Sequence, residues 1–226
     1  MNCLLCSKSV HPYHLASYLF KFIYQPTALC DLCLAQFEKL IVNCQRCGGG
    51  GQEVLQAICR DCLVWEEQGY LVNHQALFIY NQAMRDYFSS YKFNGDYRLR
   101  FAFAEYLSDH INKNYRGYLI VPIPVSNVRL EVRGFNQVIG LLEAASIKYT
   151  CLLSKPKEMM AQSSQNRVAR LKISQPFEII SNLKADFKQK ILVVDDIYTT
   201  GSTLYQAMKC LNQAGFQDIS TFSLAR

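Results

Sequence analysis

The stretch that most narrows the possible folds is Ile191-Leu192-Val193-Val194-Asp195-Asp196, together with the Ile197-Tyr198-Thr199-Thr200-Gly201-Ser202-Thr203 that follows it. Four consecutive aliphatic residues between polar ones predict a short strand buried on both faces, as in the middle of a parallel sheet. The strand is expected to stop at its two carboxylates and give way to a turn of small hydroxyl residues. A helical pattern then runs through Leu204, Tyr205, Met208 and Leu211 to a closing Gly215. Strand, polar loop and helix start, in that order, present unpaired backbone N–H groups to an anion. Gly201 lets the backbone approach closely, and the hydroxyls of Thr199, Thr200, Ser202 and Thr203 add donors. Two carboxylates beside a phosphate repel it unless they face neutral donors. Asp195 and Asp196 therefore point to the two cis hydroxyls of a phosphorylated ribose, with Mg²⁺ nearby. An ordinary capped αβ loop needs one polar residue, not two acids and four small hydroxyl residues.

The flanking sequence suits an open α/β sheet. Residues 75–80 read as a strand, 81–91 as a helix with Ala83, Met84, Tyr87 and Phe88 on one face, and 99–112 as a second helix. Aromatic and basic residues alternate over 85–103. They make either a stacking surface for single-stranded nucleic acid or packed rings with solvated charges, the second being the plainer reading. Tyr118-Leu119-Ile120-Val121-Pro122-Ile123-Pro124 is a second buried strand. Its prolines drive the chain out of the sheet at the carboxyl edge, where open α/β sheets bind ligands. Arg129 and Arg133, four apart, share a face if helical and suit bidentate phosphate contacts, the alternative being two surface arginines. A helix from 134 to about 149 and a strand at 151–153 follow. Residues 154–173 carry five Lys/Arg against one acid, and further strands are expected over 175–180 and 218–224.

The amino-terminal part is of another kind. Eight of ten cysteines lie in the first 62 residues, as the pairs Cys3/Cys6, Cys30/Cys33, Cys44/Cys47 and Cys59/Cys62. A Cys-x-x-Cys turn supplies two corners of a tetrahedron, so four turns provide for one or two structural Zn²⁺ ions with closed four-sulfur shells. The rival disulfide framework needs an oxidising compartment. With neither a signal-like start nor an apolar run of about 18 residues, a cytoplasmic chain with zinc is expected. Sequential pairing of the knuckles keeps the loops short, interleaved pairing is the alternative, and His11 and His14 are weaker candidate ligands. The domain division read from this is a zinc module over 1–66 and an α/β domain over 74–226. Residues 1–73 hold five Lys/Arg against six Asp/Glu, whereas the remainder holds 19 against 12, a balance that suits phosphate-rich ligands.

Two resemblances add to this reading. The string from Val193 to Thr203 closely resembles the phosphoribosyl-pyrophosphate (PRPP) signature of type I phosphoribosyltransferases. The resemblance implies their parallel sheet flanked by helices, with Asp195 and Asp196 on the ribose hydroxyls and Thr199, Thr200, Gly201, Ser202 and Thr203 around the 5′-phosphate. With the cysteine array, Val121-Pro122-Ile123-Pro124, Arg129 and Arg133-Gly134-Phe135-Asn136-Gln137, the whole chain resembles ComF-family competence proteins. That resemblance places a pyrophosphate and Mg²⁺ loop at Pro124, Val125 and Ser126, and a mobile loop containing Gln162 and Arg167. The family's Arg-x-x-Asn is Arg167-Val168-Ala169-Arg170 here, which leaves Arg170 without an implied role. It further implies DNA uptake in natural transformation, binding of single-stranded DNA, a helicase partner encoded nearby, and recruitment to the membrane by uptake partners. The alternatives are an active phosphoribosyltransferase acting on an unidentified base, or a regulator that senses PRPP or a nucleotide.

Overall fold

A computed structural model describes residues 2–10, 28–49, 54–55, 57–155, 176–180 and 187–226. The helices are α1 (Asp31–Leu34), α2 (Arg60–Glu67), α3 (Gln82–Lys92), α4 (Ala104–Asn114), α5 (Asn127–Arg133), α6 (Gln137–Ala144) and α7 (Ser202–Gln213). The strands are β1 (Val54–Leu55), β2 (Ile58–Cys59), β3 (His74–Phe78), β4 (Leu119–Pro122), β5 (Leu153–Ser154), β6 (Glu178–Ile179), β7 (Ile191–Ile197) and β8 (Ile219–Ala225). Four strands form the central sheet in the order β3-β8-β7-β4, and every neighbouring pair is parallel. β1–β2 and β5–β6 are small antiparallel pairs.

Alternation along β7 explains why the sheet carries helices on both faces. Leu192 and Val194 join Ile120, Phe222 and Leu224 under α3, α4 and α6. Ile191 and Val193 join Val121 and Ile219 under α7, against Leu204, Ala207, Met208 and Leu211. Successive side chains of a strand point to opposite faces, so a run of four aliphatics serves two cores at once.

β7 does not stop at Val194 as expected. It continues through both acids to Ile197, because β8 offers partners that far: Asp195 lies opposite Ser223 and Ile197 opposite Ala225. The helix expected over 99–112 divides into a 3₁₀ turn, Tyr97–Phe101, and α4. Arg100 Nη1 donates to the Tyr97 hydroxyl at 2.8 Å, and its guanidinium covers that ring, an i,i+3 pairing natural to the 3₁₀ geometry. Of the aromatic residues over 85–103, Tyr87, Phe88, Tyr91 and Phe103 are core, so the plainer reading of that segment holds for these rings. Phe93 and Phe101 are exposed.

The cysteine segments pack on the sheet from both sides. Cys3, Leu29, Cys33 and Phe37 belong to the same apolar cluster as α3 and α4, with the Phe37 ring 4.9 Å from that of Phe103. Backbone bonds from Leu40 N to Leu77 O and from Ile79 N to Glu38 O, each 2.8 Å, tie that segment to β3. Cys44, Cys47, Cys59 and Cys62 belong to the α7 cluster with Tyr70, Val121 and Val193.

Candidate functional site

The carboxyl ends of β4 and β7 open into a cleft of about 530 Å³. Asp195 and Asp196 form its floor, and both are buried although they are acids. Asp195 Oδ1 accepts from the Asp196 amide at 2.9 Å, and Lys92 Nζ, at the end of α3, makes an ion pair with Asp196 Oδ2. The two acids are thereby driven apart in acidity. Burial, reinforced by the neighbouring Asp196 charge, pushes Asp195 well above the usual carboxylate range. Burial presses Asp196 in the same direction, but the Lys92 charge and its hydrogen bonds hold Asp196 below that range. Of the two, Asp195 is the more readily protonated, while Asp196 is the one held as carboxylate. Such a pair suits two adjacent hydroxyls, each of which is both donor and acceptor.

The loop after β7 rises on one side, with Thr199 and Thr203 lining the cleft. Gly201 sits at φ +81° as the residue before α7 and has no side chain to cap it. A β-carbon there would collide with the Tyr198 hydroxyl, so glycine is required by sterics as well as by backbone angle. The Ser202 amide donates weakly to Thr200 Oγ1 at 3.5 Å, and the helix start lies beside Thr199 and Thr203. Thr200 turns away: its carbonyl accepts from Trp65 Nε1 at 2.9 Å, and neither it nor Gly201 and Ser202 lines the cleft.

Across the cleft the chain leaves β4 through Pro124, Val125 and Ser126, all of which line it. Ser126 is buried, and its Oγ finds no hydrogen-bond partner among the described residues. A lone buried hydroxyl at a cleft wall is a polar group waiting for a ligand or water. Arg129 and Arg133 follow on α5 and line the same wall. The corner after α5 shows what Gly134, Phe135, Asn136 and Gln137 contribute. Gly134 ends α5 in the left-handed region at φ +80°. Phe135 packs 5.1 Å from Tyr91 and 4.7 Å from Tyr97. Asn136 Oδ1 caps α6 by accepting from Val138 N at 2.8 Å and Ile139 N at 3.2 Å, and its amide donates to Ile123 O at 3.0 Å. Gln137 Oε1 accepts from Arg133 Nη1. The motif is therefore a bracket that holds Arg133 on the wall of the cleft that the acids line. Burial lowers the Arg133 pKa and the Asp196 charge partly restores it. Gln162 and Arg167 lie outside the described residues, as do His11 and His14.

The eight cysteines gather as Cys3/Cys6/Cys30/Cys33 and Cys44/Cys47/Cys59/Cys62, with the sulfurs of each group within 4.8 Å of one another. This is the sequential pairing. Pairs such as Cys6–Cys30 at 3.7 Å, Cys47–Cys59 at 3.5 Å and Cys44–Cys62 at 3.9 Å are far too long for disulfides. They match the roughly 3.8 Å edge of a tetrahedron with bonds of about 2.3 Å to zinc. Without a cation the thiols compete for one charge. A hydrogen bond from Cys62 brings Cys47 to about 5, while Cys62 itself is driven far up by that bond and by burial. A divalent ion resolves this competition by holding all four as thiolates. Both groups have the donor set to hold zinc.

Two residues at the site escaped sequence reasoning. Lys92 lies just past the helix expected over 81–91, yet it neutralises Asp196. Trp65 falls at the end of the expected zinc module, yet α2 carries it to the loop after β7. Neither carries a local signal, since their partners lie 104 and 135 residues further along the chain.

No family model matches the chain. Competence protein ComFC of Streptococcus pneumoniae (strain ATCC BAA-255 / R6) is 44% identical over 227 residues, covering 100% of both chains. Competence protein ComFC of Bacillus subtilis (strain 168) is 31% identical, covering 99% of this chain and 94% of that protein. Among solved structures, a hypoxanthine phosphoribosyltransferase from Staphylococcus aureus is similar over 56% of this chain and 63% of its own, with 14% identity and a TM-score of 0.33. The allosteric regulatory enzyme of purine biosynthesis is similar over 54% of this chain and 25% of its own, with 14% identity and a TM-score of 0.36. Given full-length relatives at 44% and 31% identity, the chain belongs to the ComF family of competence proteins.

Proposed function

We propose that the cleft binds PRPP or a closely related phosphorylated ribose together with Mg²⁺, and that this binding serves DNA uptake in natural transformation. The observation that carries the reading is the convergence on one cleft of an acid pair split in acidity, a helix start preceded by glycine with two threonines beside it, and two arginines on the opposite wall. In this reading Asp195 and Asp196 take the ribose 2′ and 3′ hydroxyls. The loop 199–203 takes the 5′-phosphate, while Pro124, Val125, Ser126, Arg129 and Arg133 face the pyrophosphate. Mg²⁺ enters with the pyrophosphate at the loop after Pro124 and supplies charge neutralisation there. The competence role is supported by the names of the relatives, and single-stranded DNA and a helicase are the partners it brings with it. The basic carboxyl-terminal balance and Lys155 on the cleft wall suit a polyanion.

Calorimetry of the full-length protein with PRPP and MgCl₂ tests the site. Saturable binding that Asp195→Ala with Asp196→Ala abolishes is expected, and wild-type protein that takes up no PRPP refutes the reading. Pyrophosphate release on adding candidate bases would assign turnover as well. Transformation that survives the double substitution intact would separate the cleft from DNA uptake.

A further inference from the structure

The second cysteine group and the phosphate-type loop are parts of one contact network. Cys59 immediately precedes α2 and Cys62 lies within its first turn, so any ion held by that group fixes the start of this helix. Trp65, one residue short of a full turn beyond Cys62, donates through Nε1 to the Thr200 carbonyl at 2.9 Å. Its ring lies 4.6 Å from that of Tyr205 on α7 and 6.0 Å from that of Tyr70, whose hydroxyl donates to Met208 Sδ at 2.7 Å. On the other flank the Arg226 guanidinium lies 4.3 Å from the Tyr198 ring. Holding the Thr200 carbonyl toward α2 fixes a whole peptide plane. In a planar trans peptide the following N–H, that of Gly201, must point the opposite way.

We propose that Trp65 is a positioning residue for the loop 199–203, and that a metal ion held by Cys44, Cys47, Cys59 and Cys62 keeps that loop in its anion-binding shape through α2. The inference rests on the reading of the loop as a phosphate site. It joins to the ligand cleft a metal group whose closed shell otherwise reads as structural.

The protein supplies its own probe, because Trp65 is its sole tryptophan. In the metal-loaded full-length protein, PRPP with MgCl₂ is expected to shift tryptophan emission saturably. Trp65→Phe keeps a ring against Tyr205 while removing the N–H donor and part of the indole surface. It is expected to weaken PRPP binding by calorimetry about fivefold, with metal content and thermal midpoint unchanged. Removal of bound metal by a chelator is expected to shift the emission of ligand-free protein and weaken binding further. If wild type binds PRPP but Trp65→Phe binds it equally well, the coupling is refuted while the site reading stands. If wild type does not bind PRPP, the site reading fails and the coupling with it. Should chelation unfold the chain, the Trp65→Phe affinity decides alone.

Discussion

The buried acids at the cleft floor differ in what they cost the fold. Asp195 has its folded pKa raised above the ordinary value of about 3.9, so its contribution is fully present below that pH and fades as pH rises toward the folded value. Asp196 has its folded pKa depressed, so its contribution is present above about pH 4 and is lost as pH falls through the folded value. At pH 7, Asp195→Asn is therefore expected to raise the thermal midpoint by a few degrees. Asp196→Asn strands Lys92 and is expected to cost about 3 kcal/mol, the low end for breaking a buried pair. Urea titration at pH 7 checks the opposite signs, and both variants are expected to lose PRPP affinity at least tenfold by calorimetry. Lys92→Met should raise the Asp196 pKa, seen as an upward shift of the pH at which PRPP affinity half-falls on acidification.

At the scale of elements, the bracket after α5 gives a second test. Gly134 stands at φ +80°, and an added β-carbon meets nothing within 4 Å, so Gly134→Ala carries only the backbone cost of about 1–2 kcal/mol. Denaturant unfolding measures it, and a loss well beyond that range would mean that the corner has a further role. The central strands, their parallel sheet and the four cysteine knuckles were legible because burial on both faces and Cys-x-x-Cys spacing are local signals, whereas the strand order and the choice between sequential and interleaved knuckles came from the fold. Strand and helix ends were less so. β7 runs on through Asp195 and Asp196 only because Ser223 and Ala225 sit opposite, and a register across the sheet is not written in either strand alone. The sequence pattern pointed to the loop 199–203 as a unit, but not to its one-sided presentation to the cleft. Thr199 and Thr203 face the cleft because Trp65 draws Thr200 the other way.

Over the whole molecule, the cysteine segments complete both cores of the sheet, so a fragment starting at residue 74 exposes apolar residues such as Phe103 and Tyr87, which Phe37 covers. Such a fragment is expected to be insoluble when expressed alone, as a sedimentation assay will show. Single-stranded DNA binding by the intact protein, measured by filter retention, is expected to weaken steeply with salt, because backbone contacts release counterions. Absence of binding at low salt would remove DNA from the list of ligands.

The strand order has a consequence for how the chain is made. β8 follows β3 and β7 in the chain yet lies between them, so until residues 219–225 have joined the sheet both neighbours present bare edges toward an empty lane. Pairings that span nearly 150 residues close slowly, and bare edges invite pairing with other nascent chains. Loss of β8, by premature termination or by cleavage, thus removes the middle of the sheet rather than trimming its edge, and among the described residues leaves the acid-bearing strand paired with β4 alone.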